Sequence, residues 1–500
     1  MIEARLDGAA RLEAMCRDMR SRLYADSMAA CVRRWAEQTP DRLCVADPDE
    51  AMTYGAFWQR VLEKAGALRQ RGIGPGDRVL ARTAQRGDFL ALQFAVHLLG
   101  GVFIPAARQL PPEGLAGLAE RLRPVLLLQD SRLERAEAYL PPDMPKPGDT
   151  ATILYTTGTT GQSKGIVLGH RAEVAVAQNV FYGTEMEPDT VELIPMPISH
   201  SYGLRHVFGL LLGGRSAVLC DGVTMAGDFF GLMDRWGVNA VSLTPAAVNV
   251  LRRVSGDRLG RYADRLRYIQ LGTAGVDAVM KRELRALLPH SRLYQYYSST
   301  EAGCACIQDF SHAGDSRRVG RPAVNSHFEI VDDAGRPIRS GEEAWGRIAC
   351  LGPMNMTGYD GDPALTARTM AEGYVISGDI GYLDGEGCLC FVGRVGDIIN
   401  AGGFKVAPQE VEEAAMATGL LAECACCGAP DAVLGQVPVL YIVPRPGAAP
   451  EPTAIIAALS KKLEAFKLPR RVVTLRAVPR NAIGKIQRDR CEAAAKEEER

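Results

Sequence analysis

The sequence predicts an α/β protein: a large layered N-terminal α/β body, a distorted β-hairpin region at the end of that body, and a small α+β unit behind it. Three observations predict this. Strand-like and helix-like segments alternate through the first 150 residues and recur beyond them, the pattern of a parallel, layered sheet with helices on its faces. After about residue 315 the texture changes to short strands separated by Gly-rich turns. From about residue 397 a smaller set of strands and helices follows.

The elements follow in chain order. "MIEARLDGAARLEAMCRDMRSRL" has early acidic residues and no continuous apolar core, so it is read as an amphipathic helix and not as a secretory signal. "TYGAFWQRVLEKAGALRQRG" has apolar residues at helical spacing and ends on a Gly stop signal. "DRVLAR", "VFIPA", "PVLLLQD" and "TILYT" read as strands, with "DFLALQFAVHLLGG" as a buried helix between the first two. "SAVLCD", "AVSLTP" and "LRYIQLGTAG" continue the strands. "HFEIVDDAGRPI", "WGRIACLG" and "YLDGEGCLCFVGR" read as hairpin strands with Asp-Gly and Asp-Ala-Gly turns. In the last unit, "EPTAIIAALSKKLEAF" is expected to be one helix, with Ile455, Ile456, Leu459, Leu463 and Phe466 on one face. The terminal "AAAKEEER" is expected to fray in solvent.

Composition narrows the function. A chain of 500 residues can hold two or more cores, and 47% hydrophobic with 23% charged residues is ordinary for a soluble globular protein. A formal net charge of −1 spread along the chain points to no nucleic-acid surface. No apolar run reaches the roughly 18 residues of a membrane span. Thirteen Cys at irregular spacings fit a reducing, cytoplasmic setting better than a disulfide framework. "ECACC" (Glu423 to Cys427) lacks paired zinc-ligand spacing and reads as a buried strand of small residues.

The chemistry starts at "YTTGTTGQSKG", Tyr155 to Gly165. Consecutive backbone N–H groups and Thr hydroxyls can form an anion-binding nest, and Lys164 adds a cation. The order is wrong for a P-loop, because Gly165 follows the lysine, and alone the stretch reads equally as a mobile surface turn. Four more stretches stand in order behind it: "YYSSTEAG", "SGDIGYLDGEG", "GRVGDIINAGGFKVAPQEVE" and "PRNAIGKIQR". Together the five resemble the acyl-adenylate-forming superfamily of acyl- and aryl-CoA synthetases, stand-alone adenylation enzymes and luciferases. The resemblance runs from about residue 25 to 490.

That resemblance implies a two-step reaction: a carboxylate attacks the α-phosphate of MgATP to give acyl-AMP and pyrophosphate, and a thiol then displaces AMP. It also implies a body of residues 1–394 and a mobile C-terminal domain of residues 395–500 that swings between the steps. The implied cofactors are ATP, Mg2+ and CoA or carrier-protein phosphopantetheine.

Roles carry over position by position. Thr156, Thr157, Gly158, Thr159, Thr160 and Lys164 form the phosphate loop, with Ser163 where most relatives have Pro. Tyr297 stacks on adenine, Thr300 touches the α-phosphate and Glu301 holds Mg2+, while Ser298 replaces the usual Gly. Asp379 accepts hydrogen bonds from the ribose hydroxyls; Arg394 reaches the nucleotide or, alternatively, pairs across the domains. Lys485 offsets the charge that builds during adenylation. His200 gates the site, or is a plain core histidine. Tyr202 and His206, four apart on one helix face, line the acyl pocket, and Gly272 forms its opposite wall and part of the adenine site. Gly396 stands where most relatives carry Asp or Lys, at the pivot.

Two ligase readings stay open, transfer to CoA and loading of a carrier protein in trans; no carrier domain follows residue 490. A catalytically dead binding homologue disagrees with the presence of Lys164, Glu301, Asp379, Arg394 and Lys485 together. The partner is expected to be a small carboxylic acid, aromatic or polar, because Tyr202 and His206 suit a long alkyl chain poorly.

Overall fold

The computed structural model describes residues 8–134, 136–157, 163–312, 317–480 and 486–498. Among these residues the strands form three sheets, of 14, 6 and 5 strands. Two sheets build the body. In the six-stranded sheet Arg78–Arg82, Val102–Ala106 and Thr150–Thr157 run parallel, and Thr150–Thr157 turns back through an antiparallel pairing with Ser163–Gly169. The 14-stranded sheet has a parallel stretch, Ala240–Leu243 beside Tyr268–Leu271 beside Arg292–Ser299, and then becomes antiparallel.

Between the two sheets lies a layer of helices that are apolar on every side. In Gly87–Leu98 only Asp88 is not buried, and in Ser201–Leu212 only Ser201 is not. A helix without a polar face must be enclosed, and both share one core with strand residues of either sheet, among them Phe103, Ile166, Ile194 and Tyr294. Helix propensity and caps set the ends: Thr53 caps Tyr54–Gln70 through Ala56 N, and Thr244 caps Pro245–Ser255 through Ala247 N.

The hairpin region is as expected. His327–Val331 pairs antiparallel with Gly346–Leu351, which pairs with Tyr374–Leu383, which pairs with Leu389–Arg394. The last strand of the large sheet ends at Arg394 and the first of the five-stranded sheet starts at Ile399. Ile399–Ala401 and Phe404–Val406 are joined by Gly402 and Gly403, with φ of 60° and 90°. Positive φ at both central residues is the type I′ hairpin geometry, which side-chain-bearing residues adopt only at a cost.

Two expectations of the C-terminal region are corrected. The helix that was to reach Phe466 is Pro452–Leu459, followed by a 3-10 turn at Ala465–Lys467. Ile455 and Leu459 enter the core from the helix, whereas Leu463 and Phe466 reach the same core from the segment after it. Tertiary packing thus replaces helical periodicity as the reason those residues are apolar. The acidic tail is not frayed through Glu498: Cys491–Glu498 is a helix that buries Cys491 and Ala495 against Val439 and Tyr441. "ECACC" lies in the strand Leu421–Asp431 with Cys424 and Cys426 buried, and all thirteen cysteines are free.

Candidate functional site

The motifs come from separate parts of the chain, and the fold brings several of them together. Gly158, Thr159, Thr160 and Lys485 lie outside the described residues. The strands on either side of the phosphate loop are described, and Thr156 pairs with Lys164 and Thr157 with Ser163 in their ladder. The Lys164 ammonium lies 5.8 Å from the centre of the Tyr359 ring. The Tyr359 hydroxyl donates to Glu301 Oε1 at 3.1 Å. Tyr359 thus stands between the loop's cation and the carboxylate of the "STEAG" motif, in cation–π reach of the first and hydrogen-bonded to the second.

Thr300 Oγ1 is 3.0 Å from Ser201 Oγ, the residue after His200. His200 is the N-cap of Ser201–Leu212, and its half-buried imidazole is held below the usual histidine range by desolvation. It is therefore neutral at neutral pH. Arg205, buried in the next turn, donates from Nε to Ser201 O at 2.9 Å and from Nη2 to Ser299 O at 3.1 Å. One guanidinium fixes the start of the His200 helix relative to the Thr300 turn.

Asp379 and Arg394 are cross-strand partners, and Arg394 Nε donates to Asp379 Oδ1 at 3.0 Å. The Tyr297 hydroxyl donates to Asp379 Oδ2 at 2.9 Å. A carboxylate offers about four acceptor positions. Tyr297 and Arg394 take one on each oxygen, which leaves about two for further donors.

Tyr202 and His206 do share a face, with ring centres 4.6 Å apart. Tyr202 packs directly over Gly272, where an added Cβ would come within 2.3 Å of the ring. Its hydroxyl donates to Leu243 O at 3.0 Å. His206 is fully buried against Tyr296, with Nδ1 3.4 Å from Glu192 Oε1. Burial raises the Glu192 carboxyl to about 8 and, with a smaller push from Arg205, lowers His206 to about 3. Both are therefore uncharged at neutral pH, so this is a neutral pair and not an ion pair. Thr273, next to Gly272, has φ of 72°, a strained conformation for a β-branched residue.

Gly396 is exposed in a turn closed by Asp397 N and Ile398 N, both donating to Arg394 O. It does not adopt a positive φ in this conformer. The Arg488 guanidinium ties that turn to the C-terminal unit, with Nε 3.4 Å from Asp397 and Nη2 3.2 Å from Glu412. Arg445–Glu283 and Arg317–Glu410 link the C-terminal unit to the body.

Reading the sequence missed Tyr359, Ser201, Arg205 and Glu192. Ser201 and Arg205 flank motif residues and were within reach of a search for polar side chains on an otherwise apolar helix. Tyr359 and Glu192 carry no local signal, because their partners lie 58 and 14 residues away.

The AMP-binding enzyme family model matches residues 32–141 and 127–360, and the AMP-binding enzyme C-terminal domain model matches residues 410–485. A feruloyl-CoA synthase of an Amycolatopsis species is 29% identical over 482 residues, which span 91% of this chain and 96% of the relative. A fatty acid–[acyl-carrier-protein] ligase, ScoC of Streptomyces coeruleorubidus, is 27% identical across 91% of this chain and 93% of its own. Among solved structures, ATP-bound MatB from Rhodopseudomonas palustris aligns with a TM-score of 0.84 at 25% identity, over 93% of this chain and 98% of that one. The chain therefore belongs to the AMP-binding enzyme family, within the acyl-adenylate-forming superfamily, and is an acid–thiol ligase that activates a carboxylic acid as its adenylate before forming a thioester.

Proposed function

We propose that this ligase activates a small aromatic or polar carboxylic acid and hands it to CoA, with residues 1–394 as the body and residues 395–500 as a domain that pivots at Gly396. The observation that carries the site is the convergence of five sequence-distant segments: Lys164 and Glu301 meet at Tyr359, Thr300 meets the His200 helix through Ser201, and Tyr297 and Arg394 meet on Asp379.

Each residue then has work that its surroundings suit. Asp379 takes the two ribose hydroxyls on its remaining acceptor positions, and Tyr297, held by its hydroxyl, offers its ring to adenine. Gly272 leaves room beside both the base and Tyr202. Lys164, with Thr156, Thr157, Gly158, Thr159 and Thr160, cradles the β- and γ-phosphates. Thr300 donates to the α-phosphate. Neutral His200 orients the attacking carboxylate without holding it as a salt, and Lys485 faces the charge that develops at phosphorus. Glu301 would hold Mg2+, a hard cation that needs few protein oxygens and that neutralises the phosphates when bound. The carboxylate is suited to this: it keeps one oxygen beyond the Tyr359 hydrogen bond and stands on the Lys164 side of the site.

The preference for a polar or aromatic acid rests on assigning the acyl pocket to the helix face of Tyr202 and His206, whose rings pack with Tyr296 in a buried cluster with the uncharged Glu192 behind it. The feruloyl-CoA synthase relative acts on an aromatic acid by its name, which agrees. The carrier-protein reading is kept as the second, because one relative is named for an acyl-carrier-protein.

Changing Tyr202 or His206 to Ala should reorder a panel of acids by kcat/KM, by roughly tenfold or more between the best and worst affected, since one pocket contact is worth about 1–3 kcal/mol of discrimination. Ratios between acids cancel any loss of folded enzyme. A uniform drop with the ranking intact would remove both residues from the pocket.

A further inference from the structure

Away from the nucleotide site, the helix layer encloses a second polar cluster. His97 lies on Gly87–Leu98. His170 and Glu173 lie three apart on His170–Gly183, so they share a face. His97 and His170 are 0% exposed and Glu173 is 3% exposed. Four of their polar atoms have no hydrogen-bond partner: His97 Nδ1, both ring nitrogens of His170, and Glu173 Oε2. Leaving such atoms buried and unpaired is destabilising, so four in one place ask for an explanation.

Thr152 supplies the direction of the protons. Its hydroxyl donates to Glu173 Oε1 at 2.7 Å. Having used its proton, Thr152 Oγ1 accepts from His97 Nε2–H, 3.1 Å away. That tautomer leaves a bare lone pair on His97 Nδ1, which lies 3.8 Å from Glu173 Oε2. Two possible ligand atoms therefore stand near each other in a dry interior. The gap is too long for a shared proton and suits a shared metal ion, since zinc bonds to imidazole nitrogen and carboxylate oxygen are about 2.0–2.2 Å. One ligand atom from each of His97, His170 and Glu173 lies within 4.8 Å of the others. A tetrahedral zinc needs edges of about 3.3 Å, so a modest closing of the three side chains would bring three ligands onto one ion and leave its fourth position to a water.

We propose that His97, His170 and Glu173 bind a divalent cation, Zn2+ by the chemistry of two imidazoles and one carboxylate. Thr152 orients the His97 ring and the Glu173 carboxylate, as groups behind metal ligands commonly do. Thr152 belongs to the strand Thr150–Thr157, which leads into the phosphate loop. A metal here would clamp that strand to the two enclosed helices.

The test is elemental analysis of the full-length protein, purified without affinity metals or chelators and free of nucleotide. About one zinc per chain is expected. Replacing it with Co2+ should give the visible absorption of a tetrahedral nitrogen–oxygen site. Stripping the metal should lower the melting temperature, and added Zn2+ should restore it. His170→Asn and Glu173→Gln should each lose the metal. Should these variants fail to fold, the Co2+ spectrum and Zn2+-dependent melting of the wild-type protein decide. A metal-free protein with no Co2+ absorption and no response of melting to Zn2+ would overturn the proposal, as would zinc that persists undiminished in folded forms of both variants.

Discussion

Lys485→Ala is expected to abolish acid-dependent pyrophosphate exchange while leaving thioester formation from supplied acyl-AMP close to the wild-type rate. The attacking carboxylate and the α-phosphate are both anionic, and the pentavalent transition state gathers charge that a fixed cation stabilises. Losing one such preorganised group costs about 3–4 kcal/mol, or about 10²–10³ in rate. The second half-reaction is proposed to use another face of the C-terminal domain, so it should not feel the loss. Residues Arg480 and Ile486, on either side of the loop, form an antiparallel bridge, and Arg480 pairs with Glu423 at 3.2 Å. The loop's base is therefore held by contacts that the substitution leaves alone. Equal loss in both half-reactions would remove Lys485 from its assigned step and would count against the swing.

Asp379→Ala should raise KM for ATP strongly and leave KM for the acid nearly unchanged. The substitution removes the acceptor proposed for the ribose. It also leaves Arg394 Nε and the Tyr297 hydroxyl without the partner they hold at 3.0 and 2.9 Å. Losing the hydrogen bonds that the ribose hydroxyls would donate to a charged acceptor costs about 1.5–3 kcal/mol, so kcat/KM for ATP should fall by about 10–10²-fold. Steady-state kinetics with each substrate varied in turn separates the two constants. A fall shared equally by ATP and the acid, with a lowered melting temperature, would assign Asp379 to structure instead of the nucleotide.

The parts of this site that the sequence made legible are those whose chemistry demands a residue type in a local frame. A glycine- and threonine-rich turn with a lysine, an Asp set between glycines in a strand and an Arg just before a change of texture each announce themselves within a dozen residues. The layered body was legible for a similar reason, since alternation of strand and enclosed helix is a local signal. What stayed hidden depends on distant partners. Tyr359 has meaning only because the fold sets it between Lys164 and Glu301. Glu192 became visible only when His206, Tyr268 and Gln270 closed around it. The tail misled because its Ala, Glu and Lys favour a helix but do not show that Cys491 and Ala495 dock it against Val439 and Tyr441. Tyr202 was legible as a helix-face residue, but its close fit over Gly272 was not.

The central claim is that this chain forms an acyl-adenylate and passes the acyl group to a thiol. Exchange of labelled pyrophosphate into ATP, run across a panel of aromatic, polar and long-chain acids and followed by addition of CoA, tests it most directly. Exchange is expected to require an acid, to be strongest with a small aromatic or polar one, and to be followed by AMP release and a CoA thioester of the same acid. Exchange with every acid absent or inert, on protein shown to be folded, would contradict the claim; acid-dependent exchange with transfer only to a carrier-protein thiol would move the acceptor from CoA to the carrier.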